Sequence, residues 1–203
     1  MEPRCTSAVL CLASASPRRS ALLRQVGVAH LIVPANIDET PRTGEPAEEY
    51  VMRMAREKSL CLWDDGSRRR GLPVLAADTA VVLEQQVLGK PSDAAQAHDM
   101  LRGLSGRSHT VLSAVALTCE AGTELALSRS TVHLRALTER EIAAYIASGE
   151  PADKAGAYAI QGVGAIFVES ITGSYSGVMG LPLFETAQLL ASAGIQMQGA
   201  QCP

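Results

Sequence analysis

Short apolar runs alternate along the chain with segments whose apolar residues recur at helical spacing, and Gly, Pro and charged clusters separate them. Ala8 to Ala13 (AVLCLA) reads as a buried strand, and Ser14-Ala-Ser-Pro-Arg-Arg19 leads from it into a helix running to Val26. Ser16 suits the N-cap of that helix, Pro17 its first position and Gly27 its C-terminal cap. His30 to Pro34 reads as a second strand. Pro46 to about Asp64 carries Val51, Met54, Ala55 and Leu62 at amphipathic-helix spacing. Pro73 to Ala77 and Thr79 to Leu83 read as strand around Asp78, and Gln85-Gln86 turns the chain toward Val87-Leu88. Ala94 to Leu104 reads as a helix, and His109 to Thr118 and Glu124 to Leu134 as a long antiparallel pair joined at Glu120-Ala-Gly. Thr138-Glu-Arg-Glu141 is a capping box opening a helix that ends near Gly149. Ala157 to Ile160 and Ala165 to Ile171 read as strands, and Pro182 to Ala193 as a closing helix. The mixture predicts an α/β fold: a mixed, twisted sheet with a large antiparallel part, flanked by helices.

The 203 residues are 47% hydrophobic and 19% charged, which excludes a disordered chain and supplies a sizeable core. The pattern predicts one domain over residues 8–195, with short tails at 1–7 and 196–203. A net charge of -3 and 3% aromatics disfavour a nucleic-acid binder. Any anion site must therefore come from basic residues that converge locally. The five cysteines are odd in number, widely spaced and without a CxxC, so reduced thiols are expected rather than a disulfide framework or a zinc site. No apolar run approaches the ~20 residues of a membrane span, and the polar start lacks signal-peptide order. A cytoplasmic location with no membrane contact is the expectation.

Four segments carry candidate chemistry. In Ser14-Ala-Ser-Pro-Arg-Arg19, a strand feeding a helix N-terminus exposes backbone N–H groups beside hydroxyls and guanidiniums, which suits a phosphate. An ordinary capped helix with solvated arginines is the plainer local reading. In Ala76-Ala-Asp-Thr79, a carboxylate following a buried run must emerge or be paired. Asp78 there could hold a divalent metal, take a proton from water, or simply cap a turn. Lys90 lies between Gly89 and Pro91, and Lys58 just off an apolar helical face; either could be a solvated charge. Glu39 is a second metal carboxylate or a loop charge. In Asp153-Lys-Ala-Gly-Ala-Tyr-Ala-Ile-Gln-Gly162, small residues permit close backbone approach, and the Gln161 amide offers both donor and acceptor to a base edge. His30, His98, His109 and His133 lack metal-ligand spacing. Arg68 to Arg70 read as a solvated loop, and Ser113, Ser128 and Ser130 lack a nucleophile-elbow context.

Taken in order, Leu12-Ala-Ser-Ala-Ser-Pro-Arg-Arg19, Ala77-Asp-Thr79 with Leu88-Gly-Lys-Pro91, Leu104-Ser-Gly-Arg-Ser-His109, Asp153 to Gly162 and Gly180-Leu-Pro-Leu183 resemble the Maf family of nucleoside triphosphate pyrophosphatases. The resemblance implies two lobes around a nucleotide cleft, an architecture related to inosine triphosphate pyrophosphatases, and a homodimer. It implies cleavage between the α and β phosphates with a divalent metal, Mg²⁺ or Mn²⁺. By the same resemblance Asp78 is the catalytic carboxylate, and Glu39 and Asp78 are metal-linked. Ser14, Arg18, Arg19, Lys58 and Lys90 contact phosphates, and Arg18, Thr79 and Gln161 govern substrate choice. Tyr158-Ala-Ile-Gln-Gly162 and Gly173-Ser-Tyr-Ser-Gly-Val178 resemble members acting on dTTP and UTP, with modified pyrimidine nucleotides as a related house-cleaning target. Two alternatives stay open at this level: a pyrophosphatase for non-standard or methylated purine triphosphates, and a non-catalytic nucleotide-binding regulator of cell division.

Overall fold

A computed structural model describes residues 8–64 and 71–197; the Arg68 to Arg70 run and the ends of both tails lie outside the described residues. The strands are β1 Leu10–Leu12, β2 His30–Ile32, β3 Val74–Leu83, β4 Gln86–Leu88, β5 Ser108–Cys119, β6 Gly122–Leu134 and β7 Val168–Thr172. The helices are α1 Pro17–Gln25, α2 Ala47–Leu62, α3 Ala94–Leu104, α4 Glu139–Ala147, α5 Tyr175–Met179 and α6 Leu183–Ser192. The strands form a seven-stranded sheet in the order β2-β1-β3-β5-β6-β7, with β4 on β3. β1 pairs in parallel with β2 and β3, whereas β3–β4 and β6–β7 are antiparallel. The fold is mixed α/β, as the pattern predicts.

Locally coded features sit where the sequence puts them. Asp93 caps α3 by accepting from the Gln96 N–H, and Thr138 and Glu141 form the reciprocal capping box of α4. α1 ends as expected at glycine: Gly27 has φ 72, its N–H bonds to Arg24 O, and the Val28 N–H reaches Leu23 O. Ser16 occupies the N-cap of α1, but its side chain makes no capping bond.

β3 runs as strand through Asp78, and of the two outcomes open to that carboxylate, emergence or pairing, pairing with Lys58 is the one that occurs. Two expectations are corrected. Ala157 to Ile160 is no strand: residues Ala155–Ala157 form a 3-10 turn, and a second, Val163–Phe167, replaces the first part of the expected Ala165 to Ile171 strand. Tyr175–Met179 is a short helix. Small residues in these segments leave local propensity weak, so tertiary hydrogen bonds decide.

The chain divides into two compact units, passing from one to the other within β3, β5 and β6 and again after Met179. Of the described residues, the first contains those up to Asp78, Ala114–Leu127 and those from Gly180 onward. In it Cys11, Ala13, Leu62, Trp63, Val74 and Ala76 pack as a core cluster. The second contains Thr79–Ser113 and Ser128–Met179. Its core joins Val81, Leu101, Leu104, Val132, Leu134, Ile142, Tyr145 and Phe167, among others. Among the described residues no helix is long and apolar enough to cross a membrane. Among the described residues Cys11 is a buried free thiol and Cys119 a half-buried one.

Candidate functional site

The first unit assembles charged groups around Asp78. On α2 the buried positions Val51, Met54, Ala55, Lys58, Ser59 and Leu62 recur at helical spacing, so Lys58 lies on the buried face itself rather than beside it. Its ammonium donates to Asp78 Oδ1 at 2.7 Å and pairs with Glu39 Oε1 at 2.8 Å. Lys58 and Asp78 are each 7% exposed, whereas the Glu39 side chain is half exposed. A buried ammonium between carboxylates replaces lost hydration with charge-assisted bonds. Tyr50 flanks the group by donating to the Glu39 carbonyl at 3.0 Å. Burial, reinforced by Asp78 and Glu39, pushes its phenol up to about 12, so it remains a donor.

The turn after β1 lies in the same unit. Ser14 is buried, and its Oγ accepts from the Ser16 N–H at 3.1 Å and from Arg19 Nη1 at 3.3 Å, which leaves its hydroxyl proton unspent by either bond. Arg19 also donates from Nε to the Gly180 carbonyl at 2.8 Å. This ties the turn to Gly180-Leu-Pro-Leu183, a link the sequence motifs did not reveal. Burial pulls the Arg19 guanidinium below its ordinary range, and Asp78 works against that pull. Arg18 is half-buried beside it. Ser14, Arg18, Arg19, Glu39, Lys58 and Asp78 thus belong to one electrostatically connected group.

Thr79, Lys90 and Gln161 belong to the second unit. Thr79 Oγ1 lies 2.8 Å from Ser113 Oγ, which donates to the Gly177 carbonyl at 2.7 Å, so the Ser113 oxygen is the acceptor for Thr79. Lys90 is exposed. The carbonyl of the preceding Gly89 accepts the Gly156 N–H at 3.1 Å, fixing the backbone beside it. Gly156 is needed there: its φ is +68, and an added Cβ would come within 2.9 Å of Val81 Cγ1. Gln161 is exposed in the turn closed by the Gly162 N–H on Ala159 O at 3.2 Å.

Donor chemistry decides whether a divalent cation suits the Asp78 group. Among the described residues no three or more His, Cys, Asp or Glu side chains cluster to hold a metal by themselves. A hard cation such as Mg²⁺, however, is commonly bound through one or two carboxylates, with water and substrate phosphates completing its shell. Asp78 and Glu39, drawn to one ammonium, fit that smaller requirement.

A family model described as Maf-like protein matches residues 9–193. The chain belongs to the Maf family. Several relatives match over nearly the whole length. A Methylobacillus flagellatus protein named dTTP/UTP pyrophosphatase is 52% identical, over 94% of this chain and 95% of its own. A Nitrosomonas europaea protein of the same name is 53% identical, over 92% and 95%. Among solved structures the Staphylococcus aureus Ham1 protein is similar at 12% identity and a TM-score of 0.42, covering 62% of this chain and 71% of that one. The ordered motifs of this Maf chain therefore identified its family correctly.

Proposed function

We propose that the chain is a nucleoside triphosphate pyrophosphatase that hydrolyses dTTP and UTP between the α and β phosphates, releasing the nucleoside monophosphate and pyrophosphate. The observation carrying this reading is the Asp78–Lys58–Glu39 triad beside the Ser14–Arg19 turn, in a chain about half identical to proteins of that name.

Asp78 and Glu39 are the residues to hold Mg²⁺ or Mn²⁺, which when bound supplies charge neutralisation for the phosphate oxygens. Lys58 restrains the Asp78 carboxylate through Oδ1, and Asp78 accepts a proton from the attacking water. The water oxygen bonds to the α phosphorus, the bond from that phosphorus to the bridging oxygen breaks, and its electron pair leaves with pyrophosphate. Arg18, Arg19 and Lys90 stabilise the charge growing on the leaving group, and the unspent Ser14 proton donates to a phosphate oxygen. Gln161 reads the base edge, and Arg18 and Thr79 help set substrate choice. The reading also carries a homodimer in the cytoplasm.

The test is incubation with UTP, dTTP and a panel of other triphosphates plus Mg²⁺ in H₂¹⁸O. UMP or dTMP carrying the label, together with unlabelled pyrophosphate, is expected. Orthophosphate as the product would reject the bond assignment, and preference for purine triphosphates would reject the substrate assignment.

A further inference from the structure

The turn carrying Gln161 is held at both ends by a pair of side chains outside the group assigned above. Tyr145, on α4, accepts the Ala159 N–H at 3.1 Å and donates to Glu150 Oε1 at 2.8 Å. Glu150 then accepts the Val163 N–H at Oε2, 2.9 Å, and the Gly164 N–H at Oε1, 3.1 Å. Ala159 opens the turn, and Val163 and Gly164 follow its close at Gly162. One carboxylate and one phenol therefore bracket Ile160-Gln161.

The fit leaves no slack. A Cβ on Gly162 would lie 2.4 Å from Glu150 Oε1, and one on Gly164 would lie 2.6 Å from the Tyr145 oxygen. Tyr145 is itself fixed edge-on to Phe167, with ring centroids 5.0 Å apart. Burial acts to raise the Glu150 carboxyl, but the bonds from Gly164, Val163 and Tyr145 prevail and hold it below its ordinary range. Successive backbone N–H groups converging on one anion form a local nest, here filled by the protein's own carboxylate. Gln161, exposed at the tip, makes a selective base contact only if its backbone is held in place; a loose turn gives that selectivity away.

We infer that Glu150 is a positioning residue for base selection: with Tyr145 it clamps the Ala159–Gly164 segment and so fixes where the Gln161 amide is presented. This rests on the reading of Gln161 as the base-contacting group. Its signature is a loss of discrimination between bases, not a uniform loss of function.

The experiment compares Glu150→Gln, Glu150→Asp, Tyr145→Phe and Gln161→Ala with the wild type. Calorimetric binding of α,β-methylene-UTP and α,β-methylene-CTP reports base selection without turnover, and amide hydrogen exchange at Val163 and Gly164 reports the clamp. Glu150→Gln is expected to lower the UTP-over-CTP ratio about tenfold, as Gln161→Ala does, and to speed exchange at both amides at least tenfold. Glu150→Asp, keeping the charge, should recover part of both. Tyr145→Phe, which keeps the ring against Phe167, should act in the same direction and serves where Glu150→Gln does not fold. If Gln161→Ala changes the ratio but the Glu150 and Tyr145 variants do not, the positioning role is overturned while Gln161 keeps its own. If Gln161→Ala leaves the ratio unchanged, the Gln161 reading fails and takes this inference with it. Uniform weakening for both nucleotides, or unchanged exchange, reduces Glu150 to a structural residue.

Discussion

The Lys58 ammonium lies 2.7 Å from Asp78 Oδ1, and both side chains are a tenth exposed or less. Residues 20 positions apart are thereby joined where little solvent reaches either side chain. This pairing keeps β3 continuous through a carboxylate and makes stability and chemistry meet at the same atoms.

Removing one partner leaves an unpaired buried charge. Lys58→Met should destabilise the fold by about 3 kcal/mol in urea titration. The double variant Lys58→Met/Asp78→Asn should be less destabilised than the two single losses added together, because it leaves no orphan charge. Simple additivity would show that the two groups are not coupled.

Asp78→Asn keeps the size of the side chain but removes its ability to take a proton. Turnover of UTP should fall on the order of 10³-fold, while binding of a non-hydrolysable analogue stays within several-fold. Full turnover in this variant would remove Asp78 from the chemistry.

Arg19 uses its fork, with Nε on the Gly180 carbonyl and Nη1 on Ser14 Oγ. Lysine keeps the charge but cannot span both partners. Arg19→Lys should raise the KM for UTP about tenfold, measured by pyrophosphate release, and an unchanged KM would assign the charge alone.

His109 sets a pH dependence. It is 3% exposed, its Nε2 lies 2.7 Å from the Tyr158 hydroxyl, and its Nδ1 has no hydrogen-bond partner. Burial, with a smaller push from His133, lowers it from 6.5 to about 4. Between those values the unfolded chain binds a proton that the folded chain refuses, so stability is full above pH 6.5 and falls as pH drops toward 4. At about 1.4 kcal/mol per pH unit, the loss is about 3 kcal/mol. Urea midpoints taken across this range should slope in the wild type and flatten in His109→Gln.

Gly156 combines φ +68 with close approach to Val81. Gly156→Ala should cost about 2 kcal/mol, and Val81→Ala in the same chain should relieve the steric part. A melting temperature unaltered by Gly156→Ala would contradict the strained conformation.

Legibility from sequence followed the range of the interactions involved. α3 runs from Ala94 to Leu104, as expected, because Asp93 and helical periodicity act within a few residues. The α4 capping box and the glycine end of α1 are equally local. Ser14, Arg18, Arg19 and Asp78 stand within short motifs, whereas Glu39 and Lys58 do not, and Lys58 does not read as a buried bridge, since a charged residue on a helix reads as solvent-facing until its partner is known. Residues 157 to 160 and 165 to 167 misread as strand because Ala and Gly have little preference of their own there.

The order of short motifs, with the small residues, hydroxyls and cations they hold, was enough to determine the family and the chemical types at hand. Only tertiary structure decided that Lys58 joins Asp78 to Glu39, that Arg19 reaches Gly180, and that Glu150 and Tyr145 shape the Gln161 turn. These are bonds between residues from 5 to 161 positions apart, whose strength comes from burial and exact placement. Neither quantity exists until the chain has folded.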